Sequence, residues 1–285
     1  MKQSSTRAVL VEVAIHFVLL VAVCAALYPI LWVVSLALAP SGAPDARALP
    51  IPDSISFHSF ASVLFRQNSS GTWVFAVQLF NSVVISLATS FVAVAIATPA
   101  SYALARFRFV GSKAGTSLLL FTQMFPGVAA SVPLYLLLDS LHLLDTRSGL
   151  ILVYATSAVP FAIFQLRSAF EAIPREIEEA AMVDGATQFG AFLRVALPAA
   201  RPALAVTGLF AFMTAWNEFI LAATFLSREE MFTVPLLLNS YVSEYSAAWG
   251  NFAAGAILVS IPVCVLFYAL QRQLAGGLTS GSVKG

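Results

Sequence analysis

Six apolar runs, each long enough to cross a lipid bilayer, leave this 285-residue chain few ways to fold. A spanning helix needs about 20 mostly apolar residues. The runs fall at about 13–38, 81–105, 116–138, 149–166, 203–226 and 252–270. Hydrocarbon offers the backbone no hydrogen-bond partners, so a span must be a helix or part of a closed barrel. Runs this long, without alternation, predict helices. Only 10% of the residues are charged, against about 25% in an ordinary soluble domain. The expected fold class is an all-α membrane protein with six transmembrane helices.

Lysine and arginine orient the spans, because cytoplasmic loops collect positive charge. Six spans put both termini on one side. Eleven of the 15 basic residues fall there, including Arg106, Arg108, Lys113, Arg167, Arg175, Arg194 and Arg201. Arg47, Arg66, Arg147 and Arg228 fall on the other side. Both termini are therefore expected in the cytoplasm. The first run is too long for the apolar core of a signal peptide. Pro40 directly follows the cleavage-like Ala37-Leu38-Ala39, so the run reads as an uncleaved anchor. A Pro-rich outer loop follows, to about residue 78, with a short interfacial helix expected at 57–65. Asn68-Ser69-Ser70 fits a weak glycosylation sequon. Pro29, Pro99, Pro126, Pro133, Pro160 and Pro262 lie in the spans. Prolines free backbone groups that neighbouring helices can satisfy, which favours a packed bundle.

The sequence lacks the residues of several chemistries. It has no Gly-rich phosphate cradle; Gly111-Ser112-Lys113 lacks the first glycine and the closing hydroxyl. His16, His58 and His142 stand far apart, without metal-ligand spacing. Cys24 and Cys264 both sit in apolar runs, which argues against a disulfide framework or metal cluster. There is no G-x-S-x-G elbow. The net charge of +1 carries no basic signature for nucleic acid. An enzyme is not expected, and no cofactor is expected on this chain.

One polar stretch, residues 171–202, stands between the fourth and fifth runs. Five of the fourteen acids, Glu171, Glu176, Glu178, Glu179 and Asp184, crowd into its first part. Pro174 suits a helix opening. Acids in the following turn suit the positive end of the helix dipole. Good helix formers run from Arg175 to Val183, and Asp184-Gly185 predicts a left-handed stop. Ile173, Ile177, Ala180 and Ala181 give a small apolar face. A second helix is predicted from Thr187 to Ala196, ended by Leu197-Pro198. Charge pattern alone also allows a solvated loop with an interfacial helix.

The spacing within this stretch is more specific. Glu179-Ala180-Ala181, three residues, Gly185, nine residues, Val195, one residue and Leu197-Pro198 resembles the EAA motif of bacterial ABC importer permeases. Val195 stands where that motif has isoleucine. Ala215-Trp216-Asn217-Glu218-Phe219 is similar to the matching segment of carbohydrate permeases. Residues 121–126, 249–254 and 277–285 look more narrowly like the maltose/maltodextrin importer subunit of the MalG type. The resemblance covers most of the chain from about residue 75.

It implies the type I ABC importer permease fold in a bacterial inner membrane. The loop would be a coupling helix that docks on a cytoplasmic ATPase. The coupling residues would be Glu178, Glu179, Ala180, Ala181, Asp184, Gly185, Leu197 and Pro198. Implied partners are a second homologous permease, an ATPase dimer that carries ATP-Mg, and a periplasmic or lipid-anchored sugar-binding protein. The expected organisation is an anchor and first periplasmic loop (1–75), a permease core (76–275) and a cytoplasmic tail (276–285). The tail would either reach the ATPase interface or form a disordered end. Maltose or maltodextrins are the first choice of cargo; trehalose and other oligosaccharides stay open.

Trp216, Asn217 and Glu218 are candidates for the substrate pathway. Glu218 is the one acid deep in a span, where charge is costly and faces a cavity or partner. It could gate the path, or it could hold neighbouring helices by hydrogen bonds. Trp216 could stack on a sugar or pack, and packing is favoured. The outer loop 227–251, with Asn239, Tyr241, Tyr245, Trp249 and Asn251, reads as an interfacial aromatic belt. The resemblance implies that part of it faces the binding protein. An ion-coupled secondary transporter is the alternative from another class, disfavoured by the loop, the missing internal repeat and the few buried acids.

Overall fold

A computed structural model describes residues 2–40, 50–52, 54–124, 127–242 and 247–279. The side chains of 2–9, 272 and 274–279 fall outside that description, as do Pro126, Tyr245 and the tail beyond Thr279. The secondary structure among the described residues is helical, apart from isolated bridges such as Gln67–Trp73. The chain forms two units. One holds residues 1–75 and 238–260, and the other holds 76–237 and 261–285.

In the first unit α1 (Lys2–Leu38) carries the first span, and its most apolar stretch is uncovered, as a lipid-facing helix requires. The interfacial helix predicted at 57–65 is α2 (His58–Leu64). The Ser56 N–H donates to Leu38 O at 2.8 Å and joins the two segments. The sequon has a structural use: Asn68 Oδ1 accepts from the N–H groups of Ser70 and Thr72.

The second unit is built from α3 (Val74–Arg106), α4 (Ser112–Met124), α5 (Ser131–Ser140), α6 (Arg147–Ala172), α7 (Arg175–Val183), α8 (Gln188–Ala191), α9 (Leu197–Ala199), α10 (Arg201–Trp216), α11 (Ile220–Phe225) and α12 (Val234–Ser240). The first two residues of α3 and the last three of α12 belong to the first unit, and α13 (Trp249–Thr279) runs through both. Four helices are long and apolar enough to span a membrane, and two bent pairs bring the number to six.

Several boundaries differ from the hydropathy reading. The second span begins at Val74 rather than 81, because Gln78, Asn81 and Ser82 are helical and bind the segment 229–234. The fifth run is interrupted at Asn217: the Asn217 N–H still reaches Met213 O, and a new helix starts at Ile220. The last helix extends to Thr279, beyond the predicted end at 270.

Small residues let the helices of this unit approach closely. Ala93, Ala158 and Ala211, from α3, α6 and α10, are buried together. The Ser90 hydroxyl donates to Gly208 O at 2.7 Å. Without a hydrophobic drive between helices in lipid, such contacts supply the packing attraction. A larger cluster at one end joins Tyr102, Leu166, Phe170, Phe192 and Ala196. A second joins Leu138, Leu150, Tyr154, Leu221 and Phe225.

Candidate functional site

The polar stretch folds as a helix, a turn and a second helical segment. Pro174 sits at the N-cap of α7, with φ −58° and ψ 134°. At the other end Gly185 has φ +94°. The Gly185 N–H donates to Met182 O, and the Ala186 N–H donates to Ala181 O. This is the paired closing pattern that a left-handed glycine makes possible. Thr187 Oγ1 then accepts the Gly190 N–H at 3.1 Å and caps the next segment.

The predicted stop at Leu197-Pro198 lies next to the observed end at Ala199. Residues Phe192–Ala196 form a π-turn, and the Leu197 N–H reaches back to Phe192 O. Proline lacks an N–H and crowds the carbonyl four residues earlier. Widening the turn ahead of Pro198 carries the helix through to Ala199. A 72° bend then separates this segment from α10.

The buried residue of α7 is Glu178, not a member of the predicted apolar face. It is 5% exposed. Its Oε1 accepts Arg106 Nε at 2.7 Å, and its Oε2 accepts the Tyr102 hydroxyl at 2.6 Å. Arg106 Nη2 also donates to Ile173 O at 3.0 Å. Arg175 Nη2 donates to Ala105 O at 3.1 Å, near the carboxyl end of α3. The Phe192 ring lies 4.5 Å from that of Tyr102. The element is therefore fastened to α3 by charge-assisted bonds inside an aromatic surround.

The other candidates separate by position. Glu179, Ala180, Asp184 and Gly185 are exposed, and Ala181, Leu197 and Pro198 are half-buried. Leu197 packs on the aromatic cluster. Ile177 is half exposed, and Val183 and Phe189 are more so. The apolar face read from the sequence thus points partly outward.

Trp216 is buried and stacks on Phe212 at 5.3 Å. Asn217 is exposed, and its Nδ2 donates to Met213 O. Glu218 bridges the break in the fifth span. Its Oε1 accepts the Leu221 N–H at 2.8 Å. Its Oε2 accepts the Ala222 N–H at 3.0 Å and the Tyr154 hydroxyl at 2.7 Å. The carboxylate thus satisfies open N–H groups at the positive end of α11.

Two further constellations went unread in the sequence. Asn81 Nδ2 donates to Glu230 O and Phe232 O, while its Oδ1 accepts Arg147 Nε at 2.8 Å. Asp145 Oδ1 accepts the N–H groups of Ser227 and Arg228, and Arg228 Nη2 donates to Asp145 O. Burial alone would raise the Asp145 carboxyl. The two N–H donors and the Arg228 charge outweigh it and hold the group below its ordinary value. Polar residues at the ends of apolar runs were the available signal, but their partners lie 66 or more positions away.

The sequence profile of the family described as "binding-protein-dependent transport system inner membrane component" matches residues 97–280. The chain is 37% identical to the trehalose transport system permease protein SugB of Mycobacterium tuberculosis (strain CDC 1551 / Oshkosh), over 91% of this chain and 93% of that protein. It is 35% identical to the maltose/maltodextrin transport system permease protein MalG of Yersinia pestis, over 95% and 92%. Among solved structures it is similar to a chain in the crystal structure of a bacterial ABC transporter involved in the import of the acidic polysaccharide alginate. That match has a TM-score of 0.77 and 25% identity, over 93% of this chain and 96% of that one. Matched along most of its length by profile, relatives and fold, this multi-pass inner-membrane chain belongs to the binding-protein-dependent transport permeases of the ABC importers.

Proposed function

We propose that the chain is the permease subunit of an ATP-driven, binding-protein-dependent sugar importer and forms half of its translocation path. A second homologous permease supplies the other half. ATP-Mg is bound and hydrolysed on a separate ATPase dimer, on the side where the termini lie. A periplasmic or lipid-anchored binding protein delivers the sugar on the opposite side.

The observation that carries this reading is the two-sidedness of α7. Its root is buried through Glu178, Arg106 and Tyr102, while Glu179, Ala180, Asp184 and Gly185 are open to a partner. Force applied to the open face would pass into α3 through short, charge-assisted bonds, which hold their geometry better than neutral ones. In this reading Glu178, Leu197 and Pro198 position the element, and the exposed residues dock.

The cargo is a neutral di- or oligosaccharide, with maltodextrins first. Trehalose is the second reading, favoured by the likeness to the trehalose permease. Binding of maltotriose and trehalose to the cognate binding protein decides between them. The coupling role is tested by Gly185→Pro and Glu179→Lys. Both are expected to lower ATPase co-purification and uptake at least tenfold while membrane insertion stays normal. Unchanged co-purification and uptake would refute it.

A further inference from the structure

Between α4, α6 and α10 lies a cavity of about 230 Å³, lined by Gln123, Ser157, Phe161, Thr207, Phe210 and Thr214 together with three alanines. Ser157 is ten residues into α6, so it lies about 15 Å along a helix of 26 residues. The cavity therefore opens near mid-membrane. Polar groups at that depth are costly against lipid and belong on a watered path or a protein contact.

The chemistry of the lining is narrow. None of its side chains is ionisable. The Ser157, Thr207 and Thr214 hydroxyls donate to Val153 O, Ala203 O and Phe210 O of their own helices. Each leaves its oxygen lone pairs as acceptors. Gln123 Nε2 makes a long 3.3 Å bond to Ser157 O, and its Oε1 has no partner among the described residues. Phe161 and Phe210 meet edge to face at 5.8 Å, and each is about half exposed. The cavity thus offers acceptors and flat apolar rings, and no charge. The segment 216–218 offers less, because Trp216 is stacked and the Glu218 carboxylate is occupied.

We propose that this cleft is the chain's own cargo subsite, taking a neutral polyhydroxylated ligand one sugar ring at a time. Ligand hydroxyls donate to Gln123, Ser157 and Thr214, and the C–H face of the ring packs on Phe161 and Phe210. Lacking any basic side chain, the cleft discriminates against sugars bearing carboxylate or phosphate. The inference rests on the permease reading above.

The test uses the complete complex, with its partner permease, ATPase and binding protein, in proteoliposomes. Labelled maltotriose and trehalose are the probes. Phe161→Ala and the near-isosteric Gln123→Met and Thr214→Val are compared with the parent. Uptake is expected to fall at least fivefold in each, with binding-protein-stimulated ATP hydrolysis kept within about twofold. Unchanged uptake in all three overturns the subsite alone. Parallel loss of stimulated hydrolysis and uptake assigns the residues to packing and overturns it too. If the parent imports neither sugar, the proposed cargo fails and the subsite with it, while the family assignment stands.

Discussion

Arg106 Nη2 lies 2.6 Å from Glu178 Oε1, and neither side chain exposes more than 7% of its surface. Removing one partner of such a pair leaves a buried charge uncompensated, at a cost of about 3–5 kcal/mol. Glu178→Ala and Arg106→Ala are each expected to destabilise the protein by that order. The double variant should lose much less than the sum. Thermal unfolding of the detergent-solubilised protein measures this, and strict additivity would show that the pair is not energetically coupled.

Glu218→Gln keeps one acceptor oxygen where the carboxylate serves three donors. At least one of Leu221 N, Ala222 N and Tyr154 Oη loses its partner. A loss of about 1–3 kcal/mol is expected, with uptake reduced and ATPase co-purification retained. Loss of complex assembly would instead mean that the break between α10 and α11 holds the subunits together.

Acid should loosen the contact between Asp145 and residues 227–228. The folded carboxyl sits below its ordinary value, so near that value the unfolded form binds more protons. The stabilisation is complete above pH about 3.9 and is lost as pH falls through the folded value. Amide-exchange protection at Ser227 and Arg228, corrected for intrinsic rates, is expected to drop in that window. Asp145→Asn should abolish the pH dependence; an identical profile in the variant would assign the drop to another group.

A Cβ at Gly149 would collide with the backbone oxygen of Leu143, which cannot rotate away. Gly149→Ala is therefore expected to cost about 1–3 kcal/mol. Gly115→Ala, where nothing lies within 4 Å, should be neutral. Melting temperatures of the two variants give the comparison, and equal values would contradict the packing at the start of α6.

Local signals carried α7 well. Pro174, the acids of the first turn and Asp184-Gly185 act within a few residues, so its ends were readable from the sequence. The identity of its buried side chain was not. Periodicity put Ile177 on the apolar face, whereas the structure buries Glu178 because Arg106 and Tyr102 meet it from 72 and 76 positions away. The start of α3 was hidden for the same reason. Gln78 looks like a loop residue until the carbonyl of Glu229 is beside it, and Asn81 reads as the start of the run until those of Glu230 and Phe232 are. Hydropathy, which averages over a window, also blurred the break at Asn217. The mid-membrane cavity uses Ser, Thr and Gln residues that are individually ordinary and become distinctive only when three helices bring them together.

The π-turn at Phe192–Ala196 holds one residue more than an α-turn of the same helix would. Each residue of an α-helix turns the chain by about 100°. Deleting a single residue there would let the wide turn close to an α-turn, whereas the same deletion within an α-turn would swing the segment upstream through roughly that angle. The wide turn is thus slack in the residue count, held at a point remote from the exposed tip at Asp184-Gly185. A one-residue deletion between 192 and 196 is absorbed there, and Phe189 and the Asp184-Gly185 turn keep roughly their present bearing.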